Sequence, residues 1–297
     1  LRKPHRIRAA HDHLMADPTG LGIDNAELII EAIVEDADIK KKLYQNIEPR
    51  MAADAILASN TSSIPLDDLA SSLERPERFL GIHFFNPVPK MPLVEVVNAE
   101  GSSEDALNRA EAFVQQIKRL PLPVKSAPGF LVNRVLMPYL MAAVELVEEG
   151  YQAETVDQAA LDFGIPMGPL HLADKVGLDI CLSVANVFTE YFDKPIPDVL
   201  SRMVNNGRLG IKSGEGFFQY KNGRKRRNWR KWKKPDPPKG LADRLLNPLF
   251  AEAQACLDEG IVASADLVDA GMIFGTGFAP FTGGPMHYLK KREGSHH

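Results

Sequence analysis

The sequence predicts an α/β sheet domain followed by an all-α part, and three observations carry this prediction. Between Asn25 and Lys125, short apolar runs alternate with amphipathic stretches, as in strands and helices wound around a sheet. From Pro128 onward, apolar residues recur at helical spacing over long segments. Two segments of that helical part also resemble each other. The 297 residues, 44% of them hydrophobic, are enough for two or three domains.

The alternating region can be read in chain order. A strand is predicted in AELIIEAIVE, a helix in DADIKKKLYQNIEPRM, a strand in AILAS and a short helix in LDDLASSL. The strands GIHFF and PLVEVV follow, then the helix EDALNRAEAFVQQIKRL and the strand LPVKS. The first long helix of the all-α part is PGFLVNRVLMPYLMAAVELVEEG, and Gly150 is its predicted C-terminal cap.

An internal repeat is the third observation. NRVLMPYLMAAVELVEEG aligns without gaps on DRLLNPLFAEAQACLDEG, 110 residues further on, so that Pro138 matches Pro248. Chance similarity between amphipathic helices explains part of the match, but aligned Pro and Gly positions favour a duplication.

The repeat continues beyond this helix. With one or two slipped positions, TVDQAALDFGIPMGP matches LVDAGMIFGTGFAP, which pairs Asp157 with Asp269. The same alignment pairs Pro169 with Pro280. The all-α part is therefore predicted to contain two related helical domains.

A strongly basic segment lies between the repeats. Residues 221–234, KNGRKRRNWRKWKK, contain nine Lys or Arg, no acid and both tryptophans of the chain. Basic and aromatic residues in alternation can bind single-stranded nucleic acid or a membrane surface. A solvated linker is the favoured interpretation, and a contact with an anionic substrate or partner is the main alternative.

These features divide the chain into five predicted segments. They are a partial Rossmann-type domain at 1–126, a first helical domain at 127–220, a basic linker at 221–240, a second helical domain at 241–292, and a purification-tag remnant at 293–297.

Composition restricts the compartment and the partners. A net charge of −4 gives no general attraction to nucleic acid or anionic membranes. Two unpatterned cysteines, Cys181 and Cys256, predict neither a disulfide framework nor a metal site, and favour a reducing, cytosol-like compartment. No apolar run approaches the roughly 18 residues of a membrane span, and the first residues lack a secretory apolar stretch.

Two polar residues interrupt the apolar strands GIHFF and PLVEVV. Strand alternation places His83 on one face with Gly81 and Phe85, and Glu95 on one face of the next strand. A His83–Glu95 pair would give the carboxylate a partner, fix the imidazole tautomer and favour the protonated ring. By local chemistry alone, a hydrogen-bonded core pair is the more common case, and a general base is the alternative.

Two further polar positions favour a site. Ser62, in ASNTSS, follows a strand directly, where open α/β sheets bind ligands, although helix capping or a turn explains the hydroxyls equally well. Asn133 shares an apolar helix face with Phe130, Met137 and Leu140 and needs a partner, which could be a loop.

Four strings together resemble the 3-hydroxyacyl-CoA dehydrogenases of fatty-acid β-oxidation: SNTSS, GIHFFNPVPKMPLVEVV, PGFLVNRVLMPYLMAA and NGRLGIKSGEGFFQY. The resemblance runs from about Ala26 to Tyr220, and the second helical domain resembles the long branch that also carries an enoyl-CoA hydratase. It implies oxidation of an (S)-3-hydroxyacyl-CoA to a 3-oxoacyl-CoA by NAD. It also implies a fused or associated hydratase, an associated thiolase, and a bacterial cytosol, mitochondrial matrix or peroxisome as location.

The resemblance also implies roles for individual residues. The family's catalytic histidine falls on His83, its partner acid on Glu95, and its substrate-contacting serine and asparagine on Ser62 and Asn133. The cofactor-contacting positions fall on Glu35, Lys40, Asn86 and Lys212. Single-repeat relatives use the helical domain as their dimer contact. The second repeat is thus expected to pack on the first as a pseudo-dimer within one chain, with a homodimer as the alternative.

One family element is missing. The strand–G-x-G-x-x-G–helix unit that holds the pyrophosphate does not occur, since GEGFFQ and GTGFAP lack the third glycine. The chain is thus expected to lack the first part of the Rossmann unit, and one alternative is a fragment inactive alone. Two rival functions are a Ser62–His83–Glu95 thioester hydrolase or acyltransferase, and a nucleic-acid-binding protein using Lys221–Lys234.

Overall fold

Five strands form one mixed sheet in chain order, in agreement with the predicted α/β domain. The structure is a computed structural model that describes residues 4–192, 195–226 and 235–294. The strands are β1 (Leu28–Glu31), β2 (Ile56–Ser59), β3 (Phe79–Phe84), β4 (Leu93–Asn98) and β5 (Leu120–Lys125). β1, β2 and β3 run parallel, β4 is antiparallel to β3, and β5 is parallel to β4. The carboxyl ends of β1, β2 and β3 therefore share one edge of the sheet.

Helices cover both faces of this sheet. The helices of the first 126 residues are α1 (Pro4–His11), α2 (Ala37–Ile47), α3 (Leu66–Ala70) and α4 (Glu104–Gln116). Leu80, Ile82 and Val96 pack with α4 on one face, as strand alternation predicts. The opposite face joins α2, α3 and the helical part in one large apolar core. His83 and Glu95 leave their strands on that second face, toward the helical part.

Eight helices follow the sheet in the described residues. They are α5 (Val132–Glu148), α6 (Ala153–Phe163), α7 (Pro169–Val176), α8 (Leu178–Phe192), α9 (Asp198–Asn205), α10 (Leu241–Asp258), α11 (Ala265–Thr276) and α12 (Pro285–Gly294). α5 is central, because it packs against α6, α7, α9, α10 and α11. Residues 293–294 close α12, and the rest of the predicted tag remnant lies outside the described residues. None of the described helices is long and apolar enough to cross a bilayer.

Each repeat has a buried aspartate whose carboxylate binds backbone amides at the start of a later helix. Asp157 accepts hydrogen bonds from the backbone amides of Leu170 (2.9 Å) and His171 (3.2 Å) at the start of α7. Asp269 does the same for Met286 (2.7 Å) and His287 (3.1 Å) in α12. Two carboxylate oxygens thus satisfy amides that have no partner within their own helix.

The predicted pairing of Pro169 with Pro280 is wrong. Pro169 opens α7, and the residue that opens α12 in the same way is Pro285. The second repeat has four more residues between its aspartate and this helix, with a short 3₁₀ turn (Pro280–Thr282) among them. Pro suits the first position of a helix because it has no amide hydrogen to satisfy.

The repeats pack on each other through reciprocal ion pairs. Arg134 of α5 binds Glu259, which follows α10, through two hydrogen bonds of 2.7 and 2.8 Å. Arg244 of α10 binds Glu149, which follows α5, at 2.6 Å. The repeat spacing of 110 residues relates Arg134 to Arg244 and Glu149 to Glu259. Such reciprocity is the signature of a two-fold interface, here within one chain. The packing of one repeat on the other is as expected, and a pseudo-dimeric or homodimeric state stays a prediction.

The first residues of the predicted linker belong instead to the first helical domain. Strands β6 (Tyr220–Lys221) and β7 (Arg224–Lys225) form a hairpin whose turn, Asn222-Gly223, has φ values of 52° and 73°. The dipeptide Asn-Gly favours this two-residue turn. The signal is easily overlooked in so highly charged a segment. The Lys225 ammonium lies 3.1 Å from the centre of the Phe218 ring. Residues 227–234, with both tryptophans, lie outside the described residues.

Candidate active site

His83 and Glu95 form a buried pair across two neighbouring strands. The antiparallel register places the two residues directly opposite each other on β3 and β4. His83 Nδ1 lies 2.8 Å from Glu95 Oε2, and the two residues are 5% and 0% exposed. An ionised carboxylate only accepts hydrogen bonds, so Nδ1 carries the hydrogen. In the neutral ring this tautomer leaves the lone pair on Nε2, where a proton can be taken up.

The second oxygen of Glu95 is bound by the start of α5. The backbone amides of Leu131 and Val132 donate to Oε1 at 3.1 and 2.9 Å. No side chain of α5 caps these amides. Glu95 therefore caps α5 from the sheet, and the positive end of the helix dipole stabilises its charge. Sequence reasoning missed this contact, because backbone amides have no residue signature.

Two aromatic rings enclose the imidazole. The Phe85 and Phe130 ring centres lie 4.6 and 5.7 Å from the centre of the His83 ring. Phe130 follows Gly129, and both have positive φ, 53° and 73°. A left-handed conformation is unfavourable for a bulky residue, and such strain is typically kept where it serves a site. The two left-handed residues turn the chain into α5 and place Phe130 on the imidazole.

Ser62 and Asn133 lie next to each other, and Asn133 directly follows Val132, whose amide binds Glu95. Both are half-buried, and Asn133 Nδ2 lies 3.5 Å from the carbonyl oxygen of Ser62. Within the described part of the chain, neither the Ser62 hydroxyl nor Asn133 Oδ1 has a hydrogen-bond partner. The predicted alternative of loop bonding thus accounts for only one of the Asn133 groups, and the Ser62 hydroxyl and the acceptor Asn133 Oδ1 remain to bind a substrate hydroxyl.

Glu35 holds the loop that carries Ser62. Its Oε1 accepts hydrogen bonds from the Thr61 hydroxyl (2.6 Å) and the Ser62 amide (2.9 Å), and from the amide and hydroxyl of Ser63 (3.3 and 3.2 Å). Burial alone would raise the pKa of Glu35. The bonds from Thr61 and Ser62 and the charge of Lys40 bring it below its ordinary value instead.

Lys40 lies in a buried charge network. It is 1% exposed and its Nζ lies 2.7 Å from Glu31 Oε1 and 3.4 Å from Glu35 Oε2. The other oxygen of Glu31 accepts from the Tyr44 hydroxyl (2.7 Å) and the Ser59 hydroxyl (2.8 Å). Glu31, Tyr44 and Ser59 were missed by sequence reasoning, although a second glutamate within the apolar strand ELIIEA was a usable signal. The network fixes Glu35 relative to β1 and β2.

Exchanging Glu35 for glutamine tests this loop anchor through its pH dependence. The pKa of Glu35 is lower in the folded chain than in the unfolded chain, where it is about 4.3. The ionised carboxylate therefore stabilises the fold above about pH 4.3, and this stabilisation is lost as the pH falls through the folded pKa. We expect the stability difference between the parent and Glu35→Gln to be largest near pH 7 and to shrink below about pH 4. Urea midpoints measured against pH test this, with the exposed Glu27→Gln as control. A difference that does not change with pH would contradict it.

The other two predicted cofactor positions are apart from this network. Asn86 is exposed in the turn after β3, near the shared strand edge. Lys212 lies in the 3₁₀ turn Ile211–Ser213 of the helical part and binds Asp179 at the start of α8, at 2.5 Å. In the described ranges, no hydrogen bond or ion pair links Lys212 to the sheet.

An apolar cavity of about 260 Å³ runs along α5 from Met137, one helical turn beyond Asn133. Met137 and Met141 follow Asn133 at intervals of four residues and therefore share its side of the helix. Glu145, Thr189 and Glu252 supply the polar part of the lining. The rest is apolar and includes Met137, Pro138, Met141, Phe188, Ile196 and Pro248. This space suits a hydrocarbon chain.

The geometry of the described residues bears on the rival hydrolase, and the rival nucleic-acid function stays a prediction. A serine hydrolase needs its histidine bonded to the serine, whereas in the described residues the Ser62 hydroxyl has no bond to His83. No three His, Cys, Asp or Glu side chains of the described ranges could share a metal ion. The tryptophans that a nucleic-acid site would use fall outside those ranges.

Comparison with known proteins gives consistent results. The family model for the NAD-binding domain of 3-hydroxyacyl-CoA dehydrogenase matches residues 8–127, and the model for the C-terminal domain of the same enzyme matches residues 129–220. The chain is 39% identical over 275 residues to the fatty acid oxidation complex subunit alpha of Vibrio parahaemolyticus. That match covers 90% of this chain and 39% of the relative. The chain thus spans about two fifths of the length of the curated relatives it matches.

Solved structures agree with the fold. The crystal structure of FadB2 from M. tuberculosis has 42% identity and a TM-score of 0.65, covering 67% of this chain and 72% of that one. The 3-hydroxybutyryl-CoA dehydrogenase of Escherichia coli K12 has 25% identity and a TM-score of 0.81, covering 91% of this chain and 75% of that one.

Proposed function

Because the chain belongs to the 3-hydroxyacyl-CoA dehydrogenase family, we propose that it oxidises an (S)-3-hydroxyacyl-CoA to the 3-oxoacyl-CoA with NAD. The chain carries the NAD-binding domain of the family. The observation that carries the proposal is the buried His83–Glu95 pair, together with the Ser62 hydroxyl and the Asn133 carboxamide. This set can remove a proton from a hydroxyl group while polar groups hold the substrate oxygens.

The chemistry assigned to the protein is proton transfer and positioning. His83 Nε2 takes the proton of the C3 hydroxyl as the hydride leaves C3, so that the C3–H and O–H bonds break and a carbonyl forms. NAD, when bound, supplies the acceptor for the hydride. Glu95 stabilises the imidazolium, and Ser62 and Asn133 orient the C3 oxygen and the thioester carbonyl.

The described residues fit one half of the cofactor. Glu35 and Asn86 follow β1 and β3 at the shared carboxyl edge of the strands, where open α/β sheets bind nucleotides. They suit the nicotinamide end, next to His83. Lys40 acts through Glu35, because two carboxylates already bind its ammonium group. No glycine loop suited to the pyrophosphate occurs in the sequence.

The cavity along α5 supports an acyl group as substrate. It begins one helical turn from Asn133 and is lined mainly by apolar side chains. By analogy with the relatives named as alpha subunits of a fatty acid oxidation complex, we propose a role in fatty-acid oxidation within a larger assembly. That assembly would include an enoyl-CoA hydratase and a thiolase in a reducing compartment.

The test follows NADH absorbance with acetoacetyl-CoA. The chain is assayed at millimolar NADH, alone and joined to an N-terminal strand–G-x-G-x-x-G–helix segment. We expect NADH consumption in at least the extended form, and its loss in a His83→Gln variant of that form. Failure of both forms to consume NADH, or equal rates with and without His83, would refute the proposal.

A further inference from the structure

The second helical repeat lies against the part of the first repeat that holds Glu95. Helix α11 packs on both α5 and β4, and two glycines one helical turn apart, Gly271 and Gly275, lie in this contact. A Cβ on Gly275 would lie 3.0 Å from both γ-carbons of Val132 and 3.1 Å from Leu93 Cδ2. A Cβ on Gly271 would lie 2.7 Å from Leu131 Cδ2. Leu131 and Val132 are the residues whose amides bind Glu95 Oε1.

The first repeat has no glycine at the positions that correspond to these two glycines. Counted from the matched aspartates Asp157 and Asp269, Gly271 corresponds to Ala159 and Gly275 to Phe163. Phe163 has its ring against Phe250, Phe278 and Tyr288 of the second repeat. Where the first repeat has a large side chain, the second has none, and this lets α11 approach the first turn of α5.

An ion cluster around the buried Arg134 fixes the same turn from the second repeat. The guanidinium of Arg134, which is 3% exposed, binds Glu252 at 2.8 Å and Glu259 through two bonds. Glu252 and Glu259 both belong to the second repeat. The backbone amide of Lys125, at the end of β5, also donates to the carbonyl of Ile261, at 2.8 Å. The second repeat therefore contacts the first turn of α5 through charge and apolar packing, and the end of β5 through a backbone hydrogen bond.

We propose that the second repeat is a positioning element for the catalytic pair. By holding the first turn of α5 through Gly275 and the Arg134 cluster, it keeps the Leu131 and Val132 amides on Glu95 Oε1. This keeps Oε2 on His83 Nδ1 and places Asn133 beside Ser62. The expected change in kcat rests on the proposed function. The expected change in the contacts of Glu95 rests on the described contacts. The second repeat has Asp243 at the position of the candidate substrate residue Asn133. Its proposed role is therefore to position the pair and not to bind substrate.

The substitution Gly275→Val tests the contact. Val132 is β-branched and has essentially one side-chain rotamer available in a helix, so it cannot turn away from an added side chain. The displacement must pass to its backbone and hence to Glu95. Because an ångström of misplacement can cost about 100-fold in rate, we expect kcat to fall about 10- to 100-fold, with KM for both substrates within about threefold. The matched control is Phe274→Leu, on the exposed face of the same helix.

Two further measurements separate positioning from general destabilisation. The double variant Gly275→Val/Val132→Ala returns the space, and we expect it to regain kcat to within about threefold of the parent. The proton NMR signal of His83 Nδ1–H, assigned by ¹⁵N labelling, reports the bond to Glu95 without any turnover. We expect it to shift or broaden in Gly275→Val and to return in the double variant. An unchanged signal and kcat in a Gly275→Val protein of lowered melting temperature would overturn the inference, as would a double variant without recovery.

Discussion

A His83→Gln variant is expected to bind NADH and acyl-CoA like the parent and to turn over on the order of 10²- to 10⁴-fold more slowly. That is the usual contribution of a positioned general base. Glutamine can still donate a hydrogen bond to Glu95 Oε2, so the buried carboxylate keeps a partner and the fold is retained. It has no group that can take up the hydroxyl proton. Single-turnover NADH formation and equilibrium binding titrations separate the two effects.

The matched control for His83 is Phe85→Leu. Phe85 contacts the imidazole ring but has no titratable group. We expect Phe85→Leu to keep turnover within about tenfold of the parent, since it changes packing and leaves the proton acceptor in place. A His83→Gln rate within threefold of the parent would show that His83 is not the general base.

Two exchanges at Glu95 are expected to separate its two tasks. Glu95→Ala leaves the Leu131 and Val132 amides buried without an acceptor, at about 1–3 kcal/mol each, so unfolding should become easier by about 3 kcal/mol or more. In Glu95→Gln the amide oxygen can stay on those amides, and the stability loss should be smaller. Its NH₂ group then faces His83 Nδ1, which must accept, so the ring hydrogen moves to Nε2 and proton uptake there is blocked. We expect kcat to fall about 100-fold or more.

Urea unfolding and steady-state kinetics measure the two effects. Asn98→Gln, at the exposed end of the same strand, is the control for a change on β4. The assignment of Glu95 would be contradicted by a Glu95→Gln enzyme with parental kcat. It would equally be contradicted by a Glu95→Ala protein of parental stability.

Local periodicity was enough to predict the sheet and the placement of His83 and Glu95. Alternation along β3 and β4 placed His83 and Glu95 on the faces where the structure has them, because a strand leaves little choice of side-chain direction. The first pair of repeat helices was also predictable, since Pro138 and Pro248 align without a gap. These assignments needed only neighbouring residues, and they agreed with the structure.

Contacts between distant segments were not predictable in this way. Tyr44, Ser59 and Lys40 meet at Glu31 only after three elements have packed, and nothing local specifies that. Pro280 was matched instead of Pro285, because the second repeat has an insertion that an almost gapless comparison cannot place. The contact of Gly275 with Val132 likewise depends on how one repeat lies on the other.

The fate of the hydrogen on C3 distinguishes dehydrogenation from thioester hydrolysis. (S)-3-Hydroxybutyryl-CoA with deuterium at C3 is incubated with the glycine-loop-extended chain and NAD, and the products are analysed by mass spectrometry. We expect deuterium in the reduced cofactor, acetoacetyl-CoA as the acyl product, and loss of both with His83→Gln. Free 3-hydroxybutyrate that retains its deuterium, formed at the same rate without NAD, would contradict it and show thioester hydrolysis instead.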